Sequence, residues 1–318
     1  MRFARARDLQ LWLALAALAV LGGLLVVSTR PSEVRATAPD EHQLVVADLR
    51  GQALLVLDGV TGDAVKRIPL PGGPHELLLL PDGRVLASLE QTGELVLTEL
   101  DTATVEVIEV GGTPHGLALD GDVLLLTDRA TNELRRFNLG TWDELDALQT
   151  GEWPHAVQVL PDRRPVVVAA ADSTLRIGPK VIDVSELPET VAIDSTGTRI
   201  ATAGAVGGVL HAFDSDGGLL FEATLGGRPV RVLFSPDDRT IAVALSAAHE
   251  VALVDLQGGV SRVAVSGVPD GLGFTPDGAL LYASDLFGGT LSVIDPVAGA
   301  VIATYQVGET TGALLVRP

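Results

Sequence analysis

The chain has 318 residues, 22 of them basic and 41 acidic, for a formal net charge of −19, and it contains no cysteine. Without thiols there are no disulfides, thiolate nucleophiles, cysteine-bearing metal sites, iron–sulfur clusters, c-type haem attachments or lipoprotein anchors. The acidity argues against nucleic acid as a partner, because like charge repels a phosphate backbone.

Residues 1–30 read as a transmembrane signal anchor. Arg2, Arg5 and Arg7 precede an uncharged run from Leu9 to Ser28. As a helix rising about 1.5 Å per residue, the run is roughly 30 Å long, enough to cross a bilayer core. The apolar part of a cleavable signal is usually shorter, about 7–15 residues. The nearby A-x-A pattern, Ala36-Thr37-Ala38, lies well past the run and precedes Pro39, a poor cleavage context. An uncleaved single-pass anchor in the cell membrane is therefore expected, with a removed signal and a secreted or periplasmic domain as the alternative. Three arginines before the span, against Arg30 and Arg35 after it, place the large domain outside the cytoplasm. Setting aside the five arginines and two acids of residues 1–35 reduces the 22 basic and 41 acidic residues to 17 and 39, a net of −22. Residues 31–42, with Pro31, Pro39 and mixed charge, read as a short linker.

Residues 43–318 read as one repetitive domain. The whole chain is 47 % hydrophobic but only 4 % aromatic, with 35 Gly and 18 Pro, which suits many short strands joined by tight turns. A phrase of Gly-x-Pro, apolar strand, Pro-Asp-Gly, apolar strand, turn, and apolar strand ending in Asp recurs along it. The marker prolines are Pro74, Pro114, Pro154, Pro188, Pro229 and Pro269, at intervals of 40, 40, 34, 41 and 40 residues. That period belongs to four-stranded propeller blades. The last full unit predicts strands at 271–275, 280–284, 291–295 and 301–307. Six markers give six blades. The ends supply a seventh, because 44–48, 54–58 and 64–70 match its three outer strands and 313–316 matches an innermost strand. The expected fold is an all-β seven-bladed β-propeller of four-stranded antiparallel blades, closed by pairing of N- and C-terminal strands. The unit holding Pro154 is about six residues short around Gly178-Pro179-Lys180, which predicts a notch.

The units Leu281-Tyr-Ala-Ser-Asp285, Leu291-Ser-Val-Ile-Asp295, Val251-Ala-Leu-Val-Asp255 and Leu54-Leu-Val-Leu-Asp58, with their Gly-x-Pro and Pro-Asp-Gly punctuation, resemble the YVTN-repeat β-propellers. That superfamily includes lactonase-like and quinoprotein amine dehydrogenase heavy-chain-like members, so the resemblance implies fold more than activity.

In such a blade the residue after each marker proline stands at the mouth of the central channel. Around the ring these are His75, His115, His155, Glu189, Val230, Asp270 and, at the seam, Thr311. Three of the six histidines at one equivalent position, with Glu189 and Asp270 further round, form a donor set suited to a divalent metal. Glu76, Arg228 and Arg231 lie beside the ring as candidates for binding an anionic ligand. The turns on the same face add Glu90, Arg129, Asn132, Asp172, His249 and Asp285, while Trp142 and Trp153 bracket the end of the third blade. No nucleotide, G-x-S-x-G or H-E-x-x-H motif is present. Two functions follow. The first is a ligand-binding or protein-interaction scaffold with a protein or small-molecule partner at the channel mouth. The second is a metal-dependent lactonase- or lyase-type enzyme working at the His-rich site. For the anchor, the full-length protein is expected to stay with membranes through alkaline carbonate extraction. Recovery of a mature chain beginning near Pro39 would show cleavage instead.

Overall fold

The computed structural model describes residues 42–317. The predicted anchor and all but the last residue of the predicted linker lie outside the described residues, and among those described no helix is long and apolar enough to cross a membrane. The described residues form 28 strands in seven four-stranded antiparallel sheets, each a blade of a β-propeller. The last complete blade runs Pro269–Phe274, Leu281–Asp285, Thr290–Asp295 and Ala300–Gln306, close to the sequence reading except that its inner strand starts two residues earlier.

There is no single central core. Seven apolar clusters each fill one interface between neighbouring blades. Side chains alternate across a strand, so one strand serves two interfaces. In Gln43–Asp48, Val45 and Ala47 face the following blade, and Leu44 and Val46 face the preceding one. Both faces being buried explains why the middle strands read as unbroken apolar runs. Each fully buried Leu or Val contributes about 1.5–3 kcal/mol. Outermost strands such as Ala300–Gln306 alternate between exposed and partly buried positions.

Closure follows the expected seam. Gln43–Asp48 pairs on one side with Ala53–Asp58 and on the other with Thr311–Arg317. The last blade is fastened to this composite blade by Tyr282, whose hydroxyl donates to the Gly59 carbonyl at 2.8 Å and lies 2.7 Å from His42 Nε2. Tyr305 adds a second link, its hydroxyl donating to the Val60 carbonyl at 2.7 Å.

The short blade still has four strands, but its outer pair, Thr174–Ile177 and Lys180–Asp183, is only four residues each. The predicted notch is present as a hollow of about 320 Å³ bordered by Leu134, Leu148, Pro165 and Pro179.

Deleting Thr311–Pro318 removes the strand that joins the chain ends and unburies Leu44 and Val46. A loss of several kcal/mol is expected, lowering the melting temperature by at least about 10 °C at roughly 2–4 °C per kcal/mol. An unchanged calorimetric melting temperature would show that the seam does not hold the ring.

Candidate functional site at the channel mouth

The innermost strands are Leu77–Leu79, Pro114–Asp120, Pro154–Val159, Pro188–Ile193, Pro229–Phe234, Pro269–Phe274 and Thr311–Arg317. In six of the seven blades the pairing shifts register just after the marker position, between Pro114 and Leu117, for example, and between Pro269 and Leu272. A bulge re-aims the side chain it carries, and these bulges carry the ring residues.

The register corrects one ring member. Thr311 pairs with Asp48 as Pro269 pairs with Asp285 and Pro114 with Asp128, so Thr311 occupies the proline position and Gly312 the ring position. The misreading arose because the seam strand lacks the marker proline. Gly312 leaves a gap in the ring, and a Cβ there would stand 3.5 Å from Asp270 Oδ2.

A hydroxyl latch that the sequence reading missed sets the ring backbone. Ser88 Oγ accepts the Glu76 N–H at 3.2 Å and donates to the His115 carbonyl at 2.9 Å. Thr127 accepts the Gly116 N–H at 2.7 Å and donates to the His155 carbonyl at 2.8 Å. Ser284 links Gly271 to Gly312 in the same way, at 2.8 and 2.7 Å. Each hydroxyl ties one blade to the next. The signal was the hydroxyl residue on the second strand of three blades. Gly116 in Pro-His-Gly is needed for this approach, since a Cβ there would collide with the His155 carbonyl.

The three predicted histidines form a contact row. The His75 and His115 rings are 4.3 Å apart between centroids, and those of His115 and His155 are 3.9 Å apart. His115 is fully buried. Its Nδ1 lies 3.1 Å from the His155 carbonyl, which can only accept, so Nδ1 carries the proton and Nε2 bears a lone pair. Among the described residues Nε2 has no hydrogen-bond partner, and neither does the buried Nδ1 of His75 or of His155. Burial, reinforced by the neighbouring imidazoles, pushes the His115 pKa well below its ordinary value. Burial also lowers that of His155, to about 3, against the opposing pull of Glu76.

Glu90, from the turn after Val85–Leu89, joins the row, with Oε2 3.6 Å from His75 Nε2. Its other oxygen accepts a hydrogen bond from Arg129, whose guanidinium lies 4.4 Å over the half-exposed Trp153 ring. Among the described residues, His75, Glu90 and His115 can bring one ligand atom each to within 4.8 Å of one another. His155, Glu189 and Asp270, predicted in the same donor set, fall outside that group.

Glu189 instead holds Arg228 at 3.1 Å, and burial raises its pKa. Asp270 is also raised by burial. Glu76 and Arg231 meet across the channel through two parallel hydrogen bonds of 2.9 and 2.8 Å. Burial pushes Glu76 up, but the guanidinium outweighs it and holds the carboxyl below its usual range. This pair floors the mouth into a bowl. Below the mouth the channel holds a cavity of about 280 Å³, lined by Glu76, Arg231 and Thr190 together with aliphatic side chains such as Leu77, Val191 and Leu272.

The other turn residues serve the backbone. Asn132 accepts the Trp153 N–H, Asp172 that of Glu152, and Asp285 those of Val268 and Phe287, while His249 bonds the Gly267 carbonyl. Trp142 packs between the second and third blades.

Arg231→Met alone strands the Glu76 carboxylate in the channel and is expected to cost on the order of 3 kcal/mol. Adding Glu76→Leu should recover most of that loss, measured by denaturant unfolding. A double variant no more stable than the single one would refute this account of the floor.

No protein-family model matches the chain, and no curated protein does. Solved structures match over most of its length. A functionally unknown protein from Desulfotomaculum acetoxidans is 12 % identical, with a TM-score of 0.75 over 86 % of this chain and 98 % of that one. A 6-phosphogluconolactonase-like protein from Bacteroides fragilis is 14 % identical, with a TM-score of 0.73 over 89 % and 99 %. Virginiamycin B lyase from Staphylococcus aureus is 11 % identical, with a TM-score of 0.62 over 70 % and 80 %. Likeness at these identities speaks to fold, and with the blades and seam described above it makes this chain a seven-bladed β-propeller.

Proposed function

We propose that the chain is a binding module, tethered to the cell membrane by residues 1–30 and displayed outside the cytoplasm, whose ligand is a small molecule or peptide held in the bowl by a cationic group. The tether rests on the Leu9 to Ser28 run and its arginine flank. The charge balance of the bowl carries the ligand class. Arg129 is held by Glu90, Arg231 by Glu76 and Arg228 by Glu189. These pairs cancel, and they leave no free guanidinium for the anionic ligand expected at Glu76, Arg228 and Arg231. Asp270 makes no hydrogen bond or salt bridge among the described residues; burial raises its pKa and Arg231 opposes that through space, so a cation entering the bowl would favour its ionised form and find a carboxylate not already bound.

A metal-assisted lactonase or lyase is the second reading, favoured by the buried imidazoles that stay neutral. Turnover of a simple aliphatic lactone by zinc-supplemented protein, lost in His115→Ala, would move the assignment to it.

For the binding reading, choline and putrescine are expected to raise the melting temperature of chelator-treated full-length protein, while acetate and succinate do not. Asp270→Asn should erase the amine effect. Preference for the carboxylates, or amine binding unaffected by Asp270→Asn, would overturn the reading.

A further inference from the structure

We propose that His75, Glu90 and His115 bind a single divalent first-row metal ion, zinc in preference to magnesium or calcium. The site rests on the reading above only in taking the bowl as a place where ligands bind. It differs in composition from the ring of three histidines, Glu189 and Asp270 that the repeat alone suggests.

Four observations meet at these residues. The ligand atoms converge, with one nitrogen or oxygen from each residue inside a 4.8 Å span. The His115 imidazole is fixed in the tautomer a metal needs, because its Nδ1–H is committed to the His155 carbonyl at 3.1 Å and the lone pair sits on Nε2. An imidazole whose second nitrogen donates to a backbone carbonyl is the usual arrangement of a metal-bound histidine. That Nε2 is buried with no hydrogen-bond partner among the described residues. Leaving a buried acceptor unsatisfied is costly, and a bound ion would offset that cost. Finally, Glu90 is oriented from outside the group, since Arg129 bonds its other oxygen and is itself braced on Trp153. Carboxylate ligands are commonly steadied in this way.

The channel backbone keeps the row in place, because Ser88 and Thr127 bond the carbonyls of His115 and His155.

Two imidazoles and one carboxylate favour zinc or iron(II) over hard cations, which prefer all-oxygen sets. Three protein ligands also leave at least one coordination position for water or an incoming ligand.

The test uses tag-free full-length protein stripped with chelator and titrated with zinc chloride in a calorimeter, with cobalt(II) as a spectroscopic probe. One zinc per chain is expected, together with cobalt(II) d–d bands in the visible. Glu90→Gln, a near-isosteric change, should weaken zinc binding by about 10-fold or more. His115→Ala should weaken it beyond the roughly 10–100-fold typical of losing an outer partner. If His115→Ala does not fold, as judged by circular dichroism, Glu90→Gln and His75→Ala carry the test. His155→Ala, which leaves the carbonyl under His115 in place, should retain binding, as should His249→Ala. Absence of stoichiometric zinc, or binding that survives both Glu90→Gln and His75→Ala, overturns the site. Equal loss in His155→Ala overturns this ligand set in favour of the three-histidine ring. Asp270→Asn separates the two proposals, since it should abolish amine binding and leave zinc binding unchanged.

Discussion

A blade of this protein cannot be stable alone, because its middle strands are apolar on both faces and each face needs a different neighbour. Val45 and Ala47 are buried by the blade that follows, and Leu44 and Val46 of the same strand by the last complete blade, which holds Tyr282 and Leu291. The rest of the structure follows from that requirement. Stacking must continue until the last blade covers the first, and the composite seam blade with its Tyr282 and Tyr305 links is where the ring is completed. Once the ring closes, the inner strands cannot move independently, and the channel mouth inherits the rigidity of seven interfaces.

Rigidity at the mouth is what gives its chemistry definition. In six of the seven blades a bulge after the marker position re-aims the ring residue, and the strand hydroxyls pin the His115 and His155 carbonyls, the second of which holds the His115 ring. In open solution His115 would exchange tautomers and titrate near the usual imidazole value. Enclosed between His75 and His155, it presents one lone pair in one direction.

Much of this was legible before any coordinates. Blade number, strand order and the split seventh blade follow from prolines and glycines, whose backbone restrictions act locally and so leave a periodic trace. The histidine row was legible for the same reason, lying one residue after Pro74, Pro114 and Pro154. The seam slipped by one residue because Thr311 stands where the other blades have proline, and only pairing with Asp48 fixes its place. Glu90 was seen as one of several polar turn residues. Its approach to His75 comes from the fold of a turn, and its bond to Arg129, one repeat further along, depends on a side-chain pairing that periodicity places on the same face but does not specify. The partnering of Arg228 and Arg231 was equally hidden, because Glu76 meets Arg231 across the channel from a residue 155 positions away.

Strand polarity at the seam has a practical result. Asp48 and Thr311 lie at the bowl end of their strands, so Gln43 and Arg317, paired at the opposite end, both belong to the far face of the disc. Coupling the protein to a sensor chip through side chains introduced at Gln43 or Arg317 would therefore leave the bowl facing the flowing analyte.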